Sequence, residues 1–405
     1  MKPNVKILFL MAEAWPTFRA DVAVLFGKYL VRNGVQTDLL TEKAEGNVPW
    51  QGGTTYMFEV PKNKALYYFA KTVRSILGLI KTSLVEYDAV QVRDMPVIGA
   101  LALLISRWRK TPFIYWMSFP QSEGQVFRAR ARGPRAGLKY WFPLLQGKVG
   151  QYLLYRYIFP RCTHIFVQSE QMLEDVAAHG IPRSKMTPVP MGVDLEVSHA
   201  GKLLPATDPA LLGKRVLVYL GTQDRARNIE VLFAMLAIIK QQYPDVMLVL
   251  AGDTEDKAHG LWLREQAQLH GVADQVLWTG WQPAEIAWRY VAAAEIGISP
   301  FPRSFLLDSA SPTKAVEYMA IGLPVVANDN PDQQKILQES QGGVCVPLDA
   351  QSFAQAVMSI MADPELGKAM GHKGKDYIEH HRGYDRIAIS VAQTYKEVLR
   401  VEQRA

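Results

Sequence analysis

Short apolar runs alternate with helix-length segments along nearly the whole chain, and this alternation constrains the fold more than any other feature. Near the start, residues 5–11 and 35–40 are predicted strands on either side of a helix at 21–33, which Gly34 ends. The order of strand, loop, helix and strand is typical of βαβ units, and such units build parallel sheets. The sequence therefore predicts an α/β protein.

The same order continues to the end of the chain. In the first half we predict strands at 89–92, 112–117 and 163–168 and helices at 64–85, 95–109 and 169–180. In the second half we predict strands at 215–220, 246–251, 275–279, 296–300 and 323–327, and helices at 228–242, 257–270, 283–293, 314–320, 351–362, 364–380 and 386–400. A chain of 405 residues has room for two domains of about 200 residues each.

Composition excludes several classes of protein. An apolar content of 49% with 21% charged residues is typical of a globular protein. The two cysteines, Cys162 and Cys345, form neither a C-x-x-C motif nor a cluster with histidine, so we expect no disulfide framework or zinc site, and a reducing cytoplasm fits. The apolar run at 5–12 contains Lys6, and the run at 97–106 is too short to span a bilayer, so we expect neither a signal peptide nor a transmembrane helix.

Residues 309–331, SASPTKAVEYMAIGLPVVANDNP, combine a helix start with two groups suited to a nucleotide. Ser309, Ser311 and Thr313 are polar residues that could cap the helix, and its start offers free N–H groups and a positive dipole end to a phosphate. Lys314 adds a positive charge, and Glu317 could accept hydrogen bonds from two ribose hydroxyls. The alternative is an ordinary helix–strand unit that carries a solvated glutamate.

The string from Lys314 to Ala327, KAVEYMAIGLPVVA, resembles the donor-site signature of family 4 glycosyltransferases. The resemblance implies the GT-B fold, in which two Rossmann-like domains with parallel sheets face a central cleft. It implies that Glu317 holds the ribose of the donor and that the preceding helix start holds the diphosphate. A second family glutamate, which contacts the donor sugar, is replaced here by Ser309, and the adjacent Asp308 could substitute for it.

A second match lies more than 100 residues earlier. IFVQS at 165–169, GIP at 180–182 and VPMGVD at 189–194 resemble the family's signature at the junction of its two domains. We therefore predict an acceptor-side domain at 1–195, a linker at 196–213, a donor domain at 214–380 and a final helix at 381–405 that crosses back to the first domain.

The resemblance also assigns donor-side residues. In the family, the loop after the first strand of the second domain supplies two basic residues to the diphosphate. Arg227 matches the second of them, but Thr222 stands in the place of the first. Arg225 or Arg303 would have to supply the missing positive charge. We predict that Arg227, Lys314 and Glu317 are catalytic. The remaining predicted donor-binding residues are Gly221, Thr222, Arg225, Gly252, Asp253, Trp281, Arg303, Asp308, Ser309, Ser311 and Thr313.

The predicted acceptor-side residues are fewer. The loop at 13–19 lacks the G-x-G-x-x-G of dinucleotide folds, which disfavours NAD or FAD, and Arg19 and Asp21 take the place of the family's glycine-rich loop. Arg93 and Asp94 follow a strand, where open α/β sheets bind ligands. The family frequently carries a histidine near the end of the strand at 112–117, and this chain has none there.

The net charge of +6 is concentrated in one segment. Between Gly124 and Ser169 there are eight Arg and Lys residues and no acid, with aromatic residues among them. A solvated loop is one interpretation. The other is a surface for an anionic membrane, because basic and aromatic residues together suit a bilayer interface. Nucleic-acid binding is disfavoured, since nothing nearby resembles a nucleic-acid module.

These observations predict a cytoplasmic glycosyltransferase, peripheral at most on the inner face of the cell membrane. It would move a sugar from a nucleotide sugar to a polysaccharide precursor or a lipid-linked glycan. The chain contains no D-x-D motif, so we expect no metal or other cofactor, and the resemblance implies retention of anomeric configuration. The alternatives are a catalytically silent partner in a membrane complex and a sugar-nucleotide epimerase of similar shape.

Overall fold

The computed structural model describes residues 5–61, 63–82, 86–198 and 203–402, which belong to two compact units. The first unit extends to Pro190 and also contains the last helix, which begins at Tyr384. The second unit extends from Met191 to Gly383. The segment 203–213 therefore belongs to the second unit, and its short helical turn, Pro209–Leu211, lies there.

The first unit is built on a parallel sheet of seven strands in the order β3-β2-β1-β4-β5-β6-β7. Their bounds are Val5–Leu10 (β1), Val35–Glu42 (β2), Thr55–Phe58 (β3), Ala89–Arg93 (β4), Phe113–Met117 (β5), His164–Val167 (β6) and Met186–Pro188 (β7). The sequence did not predict β3 and β7. Both lie at sheet edges and are only three or four residues long, so they lack the long apolar run that marks a buried strand.

Helices connect these strands. They are a π-helical segment at Asp21–Tyr29 that continues as Leu30–Arg32, then Lys64–Lys81, Pro96–Trp108, Gln121–Arg132, Leu138–Tyr152, a second π-helical segment at Leu153–Ile158, Phe159–Arg161, Glu170–Ala177 and the final helix Tyr384–Glu402. The predicted end of the second helix, 83–85, lies outside the described residues. The final helix is fixed to this unit because Tyr395 is buried and its hydroxyl donates to Gln91 Oε1 at 2.5 Å.

The second unit has a parallel sheet of six strands in the order β10-β9-β8-β11-β12-β13. Their bounds are Arg215–Leu220 (β8), Val246–Ala251 (β9), Val276–Gly280 (β10), Ile296–Ser299 (β11), Val325–Asn328 (β12) and Gly343–Val346 (β13). The helices are Leu195–Ser198, Val231–Ile239, Lys257–Leu269, Ala284–Ala292, Phe305–Asp308, Thr313–Ile321, Pro331–Ser340, Ala350–Ala362 and Pro364–His381. The prediction of an α/β protein with two parallel sheets is confirmed.

The helix Pro331–Ser340 and strand β13 were not predicted. The signal for the helix was present, because Asn330 caps it by accepting from the N–H groups of Asp332 and Gln333, and Pro331 occupies its first turn. For β13 the local sequence is weak. It is a short edge strand that starts with glycine, and pairing with β12 defines it.

All six strands of the second sheet run in the same direction, so their carboxyl ends share one edge. The loops that begin at Gly221, Gly252 and Trp281 follow β8, β9 and β10. Open α/β sheets bind ligands outside the carboxyl ends of their strands, so this edge is where a ligand site is expected.

Candidate functional site

Gly221 begins the loop after β8 in a backbone conformation that residues with side chains rarely adopt. Its φ is +133°, and a Cβ added there would lie 3.1 Å from both Cε and Nζ of Lys314. Gly252, after β9, is more tightly constrained, because its Cβ would lie 2.2 Å from the carbonyl oxygen of Gly221. The two glycines thus let the loop approach β9 closely and let the Lys314 amine lie against the backbone.

Lys314 is buried in the first turn of the helix Thr313–Ile321. Its Nζ lies 5.0 Å from the centroid of the Tyr219 ring. Burial, and then the neighbouring charge of Arg227, lower the pKa of Lys314 to about 7, although Glu317 and Asp224 oppose the shift. The amine is therefore held at a position where a bound anion would restore its charge.

Arg227 supplies the second cation of the site. Its guanidinium carbon lies 4.6 Å from the centroid of the Phe301 ring. Its Nη1 is buried and has no hydrogen-bond partner among the residues that the structure describes. A buried donor without a partner costs free energy, and an anionic ligand would remove that cost.

Glu317 lies one turn after Thr313, whose hydroxyl donates to its carboxylate. The side chain is partly buried, and burial raises its pKa against the opposing charge of Lys314. The carboxylate is therefore less solvated than the alternative interpretation expected, and its role as a ribose ligand stays a prediction. A partly buried carboxylate beside the Lys314 amine can accept hydrogen bonds from a ligand's hydroxyls.

The helix start differs from the prediction in its cap. Pro312 occupies the N-cap position and makes no side-chain capping hydrogen bond. Ser311, expected as a cap or phosphate ligand, instead donates its hydroxyl to Asp332 at 2.6 Å and accepts from the N–H of Met191 at 2.9 Å. The first N–H groups of this nine-residue helix are not satisfied within the helix, and Lys314 belongs to the same first turn, so an anion bound at the helix start could accept hydrogen bonds from them.

Several predicted donor residues have protein partners. Arg303 binds Asp308 through two hydrogen bonds, at 2.8 and 3.0 Å, and Asp329 at 2.9 Å. Arg225 pairs with Asp256 at 3.3 Å. Carboxylates engage both arginines, so Lys314 is better placed than either to supply the positive charge that is lost because Thr222 stands in the place of the family's first basic residue. The roles of Arg303 and Arg225 as donor ligands stay predictions.

The remaining predicted residues lie around the same edge of the sheet. The Thr222 carbonyl accepts from the Tyr219 hydroxyl at 2.7 Å, and Asp253 Oδ1 accepts from the Thr254 N–H at 2.8 Å. Trp281 is exposed after β10, whereas Ser309 is buried with its hydroxyl 3.4 Å from the Phe305 carbonyl. The Ser309 side chain is therefore packed inside the protein, whereas the Trp281 side chain is accessible to a ligand.

A second group of charges lies in the first unit, at the carboxyl ends of β1 and β4. Arg93 is fully buried and contacts Asp21 at 2.8 Å and Glu13 at 3.3 Å. Arg19, which is partly exposed, binds Asp21 at 3.2 Å. Burial opposes ionisation of Asp21, but the charges of Arg93 and Arg19 lower its pKa below the usual value. All four sequence-predicted acceptor-side residues, Arg19, Asp21, Arg93 and Asp94, are thus brought together.

Asp94 has an unusual backbone for an aspartate, with a φ of +54°. Its carboxylate accepts hydrogen bonds from the N–H of Ser118, at 2.9 Å, and from the Ser118 hydroxyl. Burial raises the pKa of Asp94 to about 6, although Arg93 opposes this. Ser118 follows β5, near the place where the family frequently has a histidine.

Sequence reasoning missed Glu13, Tyr219 and Phe301. Each lies at or near the carboxyl end of a strand, as the predicted candidates do, and that position was the available signal. It could not show that Tyr219 and Phe301 present ring faces to cations, because those contacts join segments far apart in the chain.

The basic segment at 124–161 is not a loop. Its helices Gln121–Arg132 and Leu138–Tyr152 form a hairpin, and a Cβ on Gly147 would lie 2.7 Å from the Ser122 carbonyl oxygen. The interpretation as a solvated loop is therefore wrong. The eight basic side chains are exposed: Arg128, Arg130, Arg132, Arg135, Lys139, Lys148, Arg156 and Arg161.

Some aromatic and apolar residues of the basic segment do not lie on the surface that was expected to contact a membrane. Tyr155 and Phe159 are buried and belong to the core, as does Leu154. The residues that do expose apolar groups on the second hairpin helix are Leu138, Trp141, Phe142, Leu145, Val149 and Tyr152. Among the residues described, no helix is both long enough and apolar enough to cross a bilayer, and no group of acidic, histidine and cysteine side chains is placed to hold a metal ion.

Comparison with known families agrees with this geometry. Residues 207–377 match the family model described as glycosyl transferases group 1, and residues 21–197 match the model described as glycosyltransferase family 4. The chain belongs to the group 1, family 4 glycosyltransferases. The predicted family is thus confirmed, and the two matches divide between the two units.

Curated relatives of this glycosyltransferase family member are distant. Spore coat protein SA of Bacillus subtilis is 20% identical over 53% of this chain and 59% of its own length. The phosphatidyl-myo-inositol mannosyltransferase of Mycolicibacterium smegmatis is 26% identical over 52% of this chain and 51% of its length, and the alpha-monoglucosyldiacylglycerol synthase of Streptococcus pneumoniae is 26% identical over 38% and 34%. The chain thus spans between about a third and three-fifths of these relatives.

Solved structures match nearly the whole chain. Sucrose-phosphate synthase from Thermosynechococcus elongatus has a TM-score of 0.71 at 19% identity, over 98% of this chain and all of that one. Anabaena HepE in complex with UDP also has a TM-score of 0.71, at 15% identity, over 97% of this chain and 100% of its own. At these identities the likeness establishes the fold, so the predicted GT-B fold is confirmed.

Proposed function

We propose that this chain is a glycosyltransferase that moves a sugar from a nucleotide-sugar donor to a glycan acceptor carried on a lipid. The observation that carries the proposal is the pair of cations in the second unit. Lys314 is buried with a pKa of about 7, and Arg227 has a buried N–H group without a partner among the described residues. Two incompletely satisfied cations at a helix start are the environment that a diphosphate needs.

The chemistry follows from the charges. When the bond between the anomeric carbon and the diphosphate breaks, negative charge develops on the leaving phosphate. Arg227, Lys314 and the first N–H groups of the helix Thr313–Ile321 are fixed donors that stabilise this charge without reorganising. Glu317 accepts hydrogen bonds from the ribose. Retention of configuration and independence from metal ions are part of the proposal and rest on the family resemblance.

The experiment is a panel of nucleotide sugars. It starts with UDP-glucose, because HepE has been solved with that ligand. We expect slow release of nucleoside diphosphate by the wild-type protein without an acceptor, and calorimetric binding of the active donor. A protein that neither binds nor hydrolyses any nucleotide sugar would be a catalytically silent partner, and formation of an isomerised nucleotide sugar would identify an epimerase; either result contradicts the proposal.

The variant Glu317→Gln tests the assignment of the donor site. Removing the charge weakens hydrogen bonds worth about 1.5–3 kcal/mol, so donor affinity should fall about tenfold or more. The control is Glu285→Gln, an exposed glutamate in the first turn of the helix Ala284–Ala292, which should bind the donor as the wild type does. Equal affinity in both variants would contradict the assignment of Glu317.

The lipid part of the proposal rests on the hairpin helices. Leu138, Phe142, Leu145, Val149 and Tyr152 recur at helical spacing, so they share one exposed side of the helix Leu138–Tyr152. Exposed basic residues flank them. Each contributes about 1 kcal/mol near an anionic membrane, so half of the eight basic residues in the segment would contribute about 4 kcal/mol. Such binding is reversible and weakens as salt rises.

Sedimentation with vesicles tests this surface. We expect binding to vesicles that contain phosphatidylglycerol at low salt, release at high salt, and little binding to neutral phosphatidylcholine vesicles. Changing Arg128, Arg130, Arg132 and Arg135 together to Ser should abolish binding while donor hydrolysis persists. If the wild-type protein does not bind anionic vesicles at low salt, the acceptor is not presented at a membrane by this surface.

A further inference from the structure

The two cations of the proposed diphosphate site lie at opposite ends of one loop of the second unit. This connecting loop, residues 300–312, runs from β11 to the helix Thr313–Ile321. Phe301 lies at its start, and the centroid of its ring is 4.6 Å from the guanidinium carbon of Arg227. Lys314 lies in the first turn of the helix that follows the other end of the loop. The residues that hold the loop in place therefore affect the positions of both cations.

A single short segment binds this loop at four places. We call it the support segment; it consists of Asn328–Asp332 and begins at the last residue of β12. Its side chains bind the loop in order along the chain: Asn328 binds Phe301, Asp329 binds Arg303, Asn330 binds Leu307 and Asp332 binds Ser311. Asn328, Asn330 and Asp332 are buried. Buried polar groups with satisfied hydrogen bonds hold one arrangement more firmly than exposed pairs, which water and salt weaken.

Asn328 holds the start of the loop with both ends of its side-chain amide. Its Oδ1 accepts a hydrogen bond from the Phe301 N–H at 2.6 Å, and its Nδ2 donates to the Phe301 carbonyl at 2.8 Å. Two bonds to the backbone of one residue fix both the position and the orientation of that residue. Because the Phe301 ring contacts the Arg227 guanidinium, Asn328 fixes the surface against which this cation packs.

Ser311 is held at the other end of the loop, directly before Pro312 and the helix start. Its hydroxyl donates to Asp332 Oδ2 at 2.6 Å and accepts from the Met191 N–H at 2.9 Å. Arg382 in turn donates to both oxygens of the Asp332 carboxylate and, at 3.1 Å, to the Met191 carbonyl. All of these side chains are buried. The network thus ties the helix start to two distant parts of the chain.

The Ser311 hydroxyl is better suited to this support than to binding a phosphate. A hydroxyl has one proton, and Ser311 donates it to Asp332, so it has no proton left for a phosphate oxygen. The Asp332 carboxylate would also repel a phosphate that approached Ser311. The hydroxyl therefore acts on the site through the backbone that it holds.

We propose that the support segment positions the two cations that bind the donor's diphosphate. Asn328 acts through the Phe301 ring on the guanidinium, and Asp332 acts through Ser311 on the start of the helix that carries the lysine. These are positioning residues, because they bind the loop and leave the diphosphate to the cations. The inference rests on the proposed function and extends it to residues that do not touch the donor.

The first test compares two buried serines of this unit. The Ser340 hydroxyl accepts from the Gly342 N–H at 2.9 Å, as Ser311 accepts from Met191, but Ser340 lies at the far end of the helix Pro331–Ser340. Both Ser311→Ala and Ser340→Ala should lower the midpoint of urea unfolding. Only Ser311→Ala should weaken binding of UDP, or of the nucleoside diphosphate that the donor panel identifies, by about tenfold in calorimetry.

A second test separates positioning from direct contact with the ligand. The double variant Asp332→Leu/Arg382→Met removes both charges of the buried pair, so that neither is left unpaired, and it frees the Ser311 proton. The proposal predicts that the affinity for the nucleoside diphosphate falls about tenfold. Equal or higher affinity would identify Ser311 as a direct phosphate ligand and would overturn its positioning role.

The third test gives a result that a purely structural role would not produce. Asn328→Ala should weaken nucleoside diphosphate binding about tenfold in the wild-type background, but less than about twofold in Arg227→Met, where no guanidinium is left to position. Phe301→Leu keeps the backbone bonds of Asn328 and removes the ring, so it should show the same dependence on Arg227 even if Asn328→Ala does not fold. Losses of equal size in both backgrounds would contradict the proposal.

The outcomes separate this inference from the proposed function. If the wild-type protein binds nucleotide sugars and the Ser311 and Asn328 variants bind the nucleoside diphosphate as the wild type does, the support segment only packs the fold, and the donor site stands without it. If the wild-type protein binds neither a nucleotide sugar nor a nucleoside diphosphate, both the proposed function and this inference fail.

Discussion

Arg227→Met should weaken product binding without weakening the fold. In the free protein, Arg227 Nη1 is buried without a hydrogen-bond partner in the part of the chain that the structure describes, and the guanidinium carbon lies 4.6 Å from the centroid of the Phe301 ring. Removing an unsatisfied buried donor relieves about 1–3 kcal/mol, while losing the cation–π contact costs about 0.5–1 kcal/mol. Methionine keeps an unbranched chain against the ring. The free energy of unfolding should therefore stay equal or rise by up to about 2 kcal/mol.

The effect on a bound nucleoside diphosphate has the opposite sign. A hydrogen bond to a charged group is worth about 1.5–3 kcal/mol, and 1.4 kcal/mol corresponds to a tenfold change in affinity. The Kd for UDP or another product diphosphate should therefore rise about 10- to 150-fold. The loss should be smaller for the intact nucleotide sugar, because its terminal phosphate carries less charge.

The assay combines urea unfolding with calorimetry of the product. The matched control is Arg264→Met, because Arg264 also stacks on an aromatic ring of this unit, at 4.5 Å from Trp278, but lies exposed away from the site. Its product affinity should equal that of the wild type. Unchanged affinity in Arg227→Met, or a loss of more than about 1 kcal/mol in its stability, would refute the reasoning.

Two further predictions concern the same site. Burial and Arg227 lower the pKa of Lys314 to about 7 from 10.5, so most Lys314 amines in the free protein are deprotonated at pH 8. Product binding should raise this pKa, and the protein should then take up as much as about one proton. Calorimetry in two buffers of different ionisation enthalpy measures the uptake, which should be absent in Lys314→Met. Proton release would contradict the sign. Gly221→Ala should cost about 1–3 kcal/mol of stability and weaken product binding, because its Cβ would displace the Lys314 amine. Gly213→Ala, with a φ of +70° and no neighbour within 4 Å, should share the backbone cost but keep the affinity of the wild type.

The order of elements could be predicted from local patterns. Buried parallel strands are short apolar runs, and the helices between them repeat polar and apolar residues with a different period, so the sequence identifies most of both. The strands that escaped prediction, β3, β7 and β13, are edge strands whose existence depends on a neighbour. The string around Glu317 also indicated the family from the sequence, because its residues are contiguous; the donor side that it predicts stays a prediction.

The state of the site residues depended on packing between distant segments. The sequence places Ser311 next to the helix start, but its hydroxyl is committed to Asp332. It shows Arg303 and Arg225 as free cations, and the fold pairs both with carboxylates.

What the sequence by itself determined is which residues are close along the chain and which types they are. It fixed the α/β class, the family and the composition of the basic segment. Only the tertiary structure decided that Lys314 lies against Gly221, that Arg227 is left with a buried donor, and that the Gly124–Arg161 segment is a helical hairpin with part of its aromatic residues in the core. The physical reason is that burial and charge pairing are set by contacts between strands and helices far apart in sequence, and no local period encodes those contacts.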